Sequence, residues 1–250
     1  MSTLAYIIIF SLIGGVASLF LASLLLLNKK VAAKFAAYAM PFAAGALLAA
    51  VFLDLLIEGV EVGSAETIFM AALVGIILFF MAERFIRWFH HHHQHGKGEP
   101  AIPLLIIGDT VHNILDGVAI AAAFMVSIPT GIVTTLAVAA HEIPQEVGEF
   151  GALLNKGMPR GKVLFFNILS SLAATVAAIV TYFIGQSASM PLGVIFGLSA
   201  GFLLYVAMSD IIPSIHESND KKRLLDWQPF LLIAGVVAVG LATWLAHGLA

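Results

Sequence analysis

Two stretches of this chain set cation-binding groups inside apolar runs, HNILDGVAIAAAF at 112–124 and AAHEIPQEVGEF at 139–150. Histidine nitrogen and carboxylate oxygen, in a chain without cysteine, form a ligand set suited to Zn²⁺ and tolerable for Fe²⁺, Mn²⁺ or Co²⁺. His112 and Asp116 stand at i, i+4, as do His141 and Gln145, so one helix face in each stretch offers a pair of ligands. Asp109, His112 and Asp116 follow the spacing i, i+3, i+7, and Glu142, Gln145 and Glu149 repeat it; each set draws one polar stripe along a helix. Holding an ionised carboxylate at mid-bilayer costs about 2.5–3.5 kcal/mol even on lenient insertion scales. No lysine or arginine falls within either stretch, so the compensating positive charge has to be protons or a bound cation.

The elements that position these groups are membrane helices. Hydrophobic residues fill 60% of the 250 positions, charged residues only 11%, and mean hydropathy is +1.01, far from the balance of soluble domains. Apolar runs of bilayer length, about 20 residues each, cover 4–27, 35–58, 65–88, 101–125, 130–155, 161–185, 190–213 and 229–248. The fold class expected is an all-α membrane protein: one polytopic transport domain over 1–250, with eight spans and the central pair formed by spans four and five. The first run is expected to stay as a span, since no positive region precedes it and it exceeds the apolar core of a signal peptide. A turn around Pro129 joins spans four and five as antiparallel neighbours. Counted from it, Asp116 meets His141 and Glu142 at one level, His112 and Asn113 meet Gln145 and Glu146 at the next, and Asp109 meets Glu149 at a third. The first two levels lie roughly 18–25 Å from the turn, near mid-bilayer.

All twelve Lys and Arg residues fall at every second connection between spans, which by the positive-inside rule predicts cytoplasmic connections there and both termini outside. Spans two and seven share a pattern, AGALLAAVFLD at 44–54 and AGFLLYVAMSD at 200–210. They run in opposite directions, so the match predicts an inverted repeat flanking the central pair, an architecture that exposes one site alternately to two sides. Asp54 and Asp210 close the two copies and are expected at opposite mouths.

With these residues in view, the chain resembles the ZIP (Zrt/Irt-like protein) family of divalent metal transporters, in a form of prokaryotic type. HNILDG is similar to that family's HNxxDG, and HEIPQEVGEF is similar to its HEIPHEIGDF-like signature; the eight spans and the histidine-bearing loop after span three extend the likeness over the whole chain. The resemblance implies uptake of zinc, or of iron, manganese or cadmium, into the cytoplasm through a site shared by spans four and five. Carried over position by position, it implies one metal position at His112, Asp116, His141 and Gln145. An adjacent position would use Asn113 and Glu142 together with Asp116 and Gln145. Gln145 departs from the pattern, which has His or Glu there, and its neutral amide is a weaker ligand. Where some relatives add a carboxylate from span six, this chain offers Asn167, Ser170 and Ser171. Asp109, Glu146 and Glu149 are expected around the site or along an inner pathway. The implied localisation is multi-pass in a bacterial cytoplasmic membrane.

At the entrance, Asp54 and Glu58 are placed to attract and dehydrate an incoming cation. At the exit, Asp210, His216 and Glu217 cluster where span seven meets the cytoplasm. The loop at 90–100 carries His90, His91, His92, His93 and His95; its internal position argues against an appended tag, and five imidazoles there suit a metal acceptor. The cation is expected as bound substrate, with no catalytic cofactor. The bilayer is the other partner, small residues on several spans would allow a homodimer, and a formal net charge of -3 gives no footing for a nucleic-acid partner. Two rivals remain open: a carboxylate-lined proton or cation channel, and an intramembrane metalloprotease, since HEIPQ approaches H-E-x-x-H. The latter lacks the second histidine, at Gln145, and has a proline within the motif.

Overall fold

The computed structural model describes residues 2–25, 28–92, 101–155, 157–187, 191–218 and 227–248, and among them there is no strand. Eight helical rods follow one another: α1 (3–25), α2 (29–62), α3 (Ala65–His92), α4 (Ala101–Val126), α5 (Ile128–Asn155), α6 (Arg160–Ser187), α7 (192–218) and α8 (Gln228–Gly248). Each coincides with one of the apolar runs expected to span. Six of these rods contain segments long and apolar enough to cross a membrane. In α1 the apolar stretch Thr3–Val16 is shorter, and α5 carries His141, Glu142, Gln145, Glu146 and Glu149, which lower its hydropathy. The chain is a multi-pass, all-α membrane protein.

Its exterior is oily, and its interior sets a group of polar and ionisable side chains among apolar packing. Phe69, Leu73, Ile77 and Phe80 on α3, Phe165, Leu169 and Val176 on α6, and Phe230, Val237 and Leu241 on α8 all face outward, a surface suited to hydrocarbon and ill suited to water. The buried set includes Asp109, His112, Asn113, Asp116, His141, Glu142 and Glu146.

Three π-helical turns, Ile13–Ala17, Val51–Leu55 and Val206–Ile211, interrupt α1, α2 and α7. A π turn inserts one residue into the helical ladder and is frequent at functional sites. The second and third fall at the same offset within the repeated pattern of α2 and α7, around Asp54 and Asp210. Packing obeys the same symmetry: α3 lies along α7 as α8 lies along α2, and α4 lies along α6 as α5 lies along α1. Exchanging helices 1–4 with 6, 7, 8 and 5 reproduces the arrangement, which supports the repeat read from the sequence. The matching glycines do the same job in each copy. A Cβ on Gly45 would strike the Leu232 backbone of α8, and one on Gly201 would strike the Ala72 backbone of α3. Such contacts bring backbones together where no hydrophobic force separates protein from solvent, and dispersion dominates.

The central hairpin is tighter than a turn over 127–131. α4 ends at Val126, Ser127 alone bridges, and α5 begins at Ile128. The Ser127 hydroxyl accepts from the Thr130 amide at 3.1 Å, capping α5 in place of an absent intrahelical partner, and Pro129 sits in the first turn, where its missing N–H costs nothing. α5 then continues as helix through Pro144. A second difference concerns the histidine run: α3 extends to His92, so the backbone of His90, His91 and His92 is helical and not loop. Their side chains, and all of His93 and His95, lie outside the described residues.

Gly117, the last residue of HNILDG, has its own structural reason. A Cβ there would collide with the Ala174 carbonyl of α6, so the residue next to Asp116 must be glycine for α4 and α6 to meet. Gly117→Val should lower the melting temperature of the purified protein by an amount equivalent to about 1–3 kcal/mol or more. Gly151→Ala, with nothing within 4 Å of the added carbon, should be neutral or slightly stabilising in the same thermal unfolding measurement.

Candidate metal centre

The hairpin sets α4 and α5 side by side, and the i, i+4 spacing within α4 lifts His112 and Asp116 onto the face that meets His141 and Glu142. All four side chains are buried, His141 to 0% exposure and His112 to 5%. Four atoms converge. His112 Nε2 lies 3.0 Å from His141 Nε2, 3.7 Å from Asp116 Oδ2 and 3.4 Å from Glu142 Oε1. His141 Nε2 lies 3.3 Å from Asp116 Oδ2 and 3.6 Å from Glu142 Oε1. A tetrahedral ion with bonds of about 2.0–2.1 Å separates its ligands by about 3.3–3.4 Å, the middle of this range. Among the described residues these are the four His, Asp and Glu side chains that could jointly hold a metal ion.

The supporting contacts favour ligation over ordinary hydrogen bonding. His141 Nδ1 donates to the Ala137 carbonyl at 3.2 Å, which fixes the proton on that nitrogen and leaves the Nε2 lone pair facing the centre. Both oxygens of Asp116 and both of Glu142 are buried without a hydrogen-bond partner, an expensive state that a shared cation relieves. The Phe202 ring of α7 packs edge-on against His112, with centroids 5.3 Å apart, and holds the imidazole in place.

The structure separates the remaining sequence-predicted residues. Asn113 is buried, but its amide turns away from the four-atom centre and donates to the Asp109 carboxylate at 3.1 Å and the Asp109 carbonyl at 3.2 Å. Gln145 is half-buried. Glu146 is fully enclosed, with both carboxylate oxygens unpartnered, and Glu149 is half-buried beside Asp109. Asn167, Ser170 and Ser171 of α6 are all buried. Asp54 sits in the π turn of α2 at 0% exposure, and Thr134 of α5 donates to it at 3.2 Å; Glu58 is buried one turn on. His216 is exposed at the end of α7, whereas the side chains of Asp210 and Glu217 lie outside the described residues.

Sequence reasoning did not find Phe202, Thr134 or the Ala137 carbonyl. Each lies in an apolar or small-residue run with no chemical signature, and only three-dimensional packing brings it to a polar group.

A family model described as ZIP Zinc transporter matches residues 97–243, which include both motifs. The chain is 37% identical to zinc transporter ZIP10 of Danio rerio over 130 residues, 52% of this chain and 15% of that protein. It is 38% identical to human zinc transporter ZIP10 over 121 residues, 48% of this chain and 15% of that protein. Against human zinc transporter ZIP4 the identity is 37% over 129 residues, 52% of this chain and 19% of that protein. The match thus spans less than a fifth of the length of each of these curated relatives.

The geometry makes a direct prediction for binding. In calorimetric titration of the purified protein with zinc, His141→Ala and Asp116→Ala should each weaken affinity by on the order of 100-fold or more, beyond the loss typical of a supporting partner. Gln145→Ala, which changes a residue outside the four-atom centre, should weaken it by about tenfold at most.

Proposed function

The chain belongs to the ZIP zinc transporter family, and on that premise we propose that it carries divalent cations, zinc foremost, across a membrane through the position held by His112, Asp116, His141 and Glu142. One observation carries the reading: two nitrogens and two carboxylate oxygens from two helices converge, with nitrogen–nitrogen and nitrogen–oxygen separations of 3.0–3.7 Å that bracket the edge length of a zinc tetrahedron, and the carboxylate oxygens have no other partner. Iron, manganese and cadmium are the alternative ions. Their transport is uptake into the cytoplasm, through eight crossings with the basic connections on the cytoplasmic side and both termini outside, in a bacterial inner membrane. A homodimer is compatible with the small-residue faces.

In this account each residue has a physical task. The imidazoles select against hard cations such as Mg²⁺ and Ca²⁺, which prefer oxygen, while Asp116 and Glu142 neutralise the ion's charge in a low-dielectric interior. Because the ligands come from two helices, a relative movement of α4 and α5 breaks the site and releases the ion. Gln145 and Asn113, just off the centre, are the groups an ion meets on leaving it. Asp54 and Glu58 act as the entrance once α2 swings from α5 and Thr134 lets go of Asp54; Asp210, His216 and Glu217 receive the ion at the exit, and the histidines of 90–95 accept it beyond. The metalloprotease reading fares poorly, since a catalytic zinc keeps an open position for water and four converging side chains leave none.

Vesicles reconstituted with the protein should show saturable zinc uptake, and His112→Ala and Asp116→Ala should reduce it to the rate of empty vesicles. Intact flux in both variants would refute the assigned site. Conductance of protons without zinc dependence would favour the channel.

A further inference from the structure

The exchange of helices that relates the two copies of the repeat breaks down beside the central hairpin. Between α2, α5 and α8 the space is filled: Ala46, Ala50, Val133, Ala137 and Val239 are buried in a shared core. Their counterparts in the other copy are α7, α4 and α3, and there, with α6 as a fourth wall, a cavity of about 390 Å³ stands open. Val111, Leu115 and Val118 of α4 line it; they recur at i, i+4, i+7, on a stripe beside that of His112 and Asp116. Apart from the buried hydroxyl residues Thr181 and Ser199, each described lining residue is apolar or glycine.

The surroundings say what fills it. Leu78 of α3 and Ile184 of α6, both lining residues, are also exposed on the oily exterior, so the cavity opens sideways into hydrocarbon. Left empty, an apolar space of this size forfeits dispersion contacts along its whole wall, and water needs more polar partners than two hydroxyls provide. Acyl chains are the apolar matter that the bilayer holds at that depth. A second cavity, of about 490 Å³, continues the groove: it shares Leu78 and Leu198 with the first and reaches Glu66 and Thr67, exposed in the first turn of α3. Glu66 precedes Leu78 by twelve residues, about 18 Å of helix, comparable with the roughly 15 Å of hydrocarbon in one leaflet. A carboxylate at that end complements a headgroup carrying a primary amine and disfavours an anionic one.

We propose that this groove seats one phospholipid of the surrounding bilayer, its acyl chain in the cavity between α3, α4, α6 and α7 and its headgroup amine at Glu66. Phe202 is then a wall shared by the chain and the metal centre, since it lines the cavity and packs edge-on against His112 with centroids 5.3 Å apart. A chain in place backs the Phe202 ring and so keeps the imidazole where it meets His141; an emptied cavity gives the ring room to withdraw. This coupling rests on the metal-centre reading. The lipid site itself does not.

Native mass spectrometry tests it. The full chain, reconstituted in vesicles of phosphatidylethanolamine and phosphatidylcholine in equal amounts and then moved into detergent, should retain one phospholipid per chain, enriched in phosphatidylethanolamine. Val118→Trp and Ile195→Trp, two independent ways of filling the cavity, should each lose it at an unchanged melting temperature, whereas Leu241→Trp on the exposed face of α8 should keep it. Glu66→Gln should keep a lipid but lose the preference for the amine headgroup. Stripping the lipid from the unaltered chain should weaken zinc binding in calorimetry by about fivefold or more, and Phe202→Leu should remove that dependence. No retained lipid, or retention as strong in both folded cavity-filling variants as in Leu241→Trp, would overturn the site; an amine preference that survives Glu66→Gln would overturn the headgroup assignment, and zinc affinity indifferent to the lipid would overturn the coupling. A chain that keeps its lipid yet binds no zinc would refute the metal centre and leave the lipid site standing.

Discussion

Everything in this fold is arranged around charge that cannot reach water. Two helices in an apolar envelope turn acids and imidazoles inward, and the bundle supplies no lysine or arginine among the described residues to answer them. An ionised group buried alone costs several kcal/mol, so the interior is stable only with a positive guest, protons or a dication. That deficit makes the centre a site and not a hydrogen-bonded core. The His112–His141 pair sharpens the choice: two nitrogens 3.0 Å apart, one of them with its proton fixed elsewhere by Ala137, fit lone pairs aimed at a common ion.

Around this pair the scaffold is rigid where backbones touch and yielding where helices are interrupted. Glycines at matching places in α2 and α7 lock each to its partner, α8 and α3, and Gly117 locks α4 to α6 beside Asp116. The π turns of α1 and α2 lie against α5 of the central hairpin, with the Gly14-Gly15 pair in one and Asp54 in the other. Rigid pairs joined through interrupted helices are the mechanical condition for moving blocks past a fixed site. The symmetric packing means that one such movement has a counterpart on the other side.

Much of this was legible in the sequence, for identifiable reasons. The polar stripes of α4 and α5 are written in spacing alone, because a helix places i, i+3, i+4 and i+7 on one face; counting from Pro129 paired Asp116 with His141, 3.3 Å apart, but set His112 beside Gln145 and Glu146, whereas it meets His141 and Glu142. The repeat was visible through Ala-Gly and Asp at equal offsets. What escaped was anything that depends on a neighbour distant in sequence. The role of Gly117 is set by an α6 carbonyl, the orientation of Asn113 by competition from Asp109, and the burial of Asp54 by Thr134, eighty residues away. The π turns escaped as well, since no residue pattern distinguishes them from ordinary helix.

The account's central claim is that one dication sits between α4 and α5, and crystals grown or soaked with zinc and measured at its absorption edge test it most directly. An anomalous peak bonded to His112 Nε2, His141 Nε2, Asp116 Oδ2 and Glu142 Oε1 at about 2.0–2.2 Å is the predicted result. Ordered helices with no anomalous peak between those four atoms, at zinc concentrations that support flux, would contradict it.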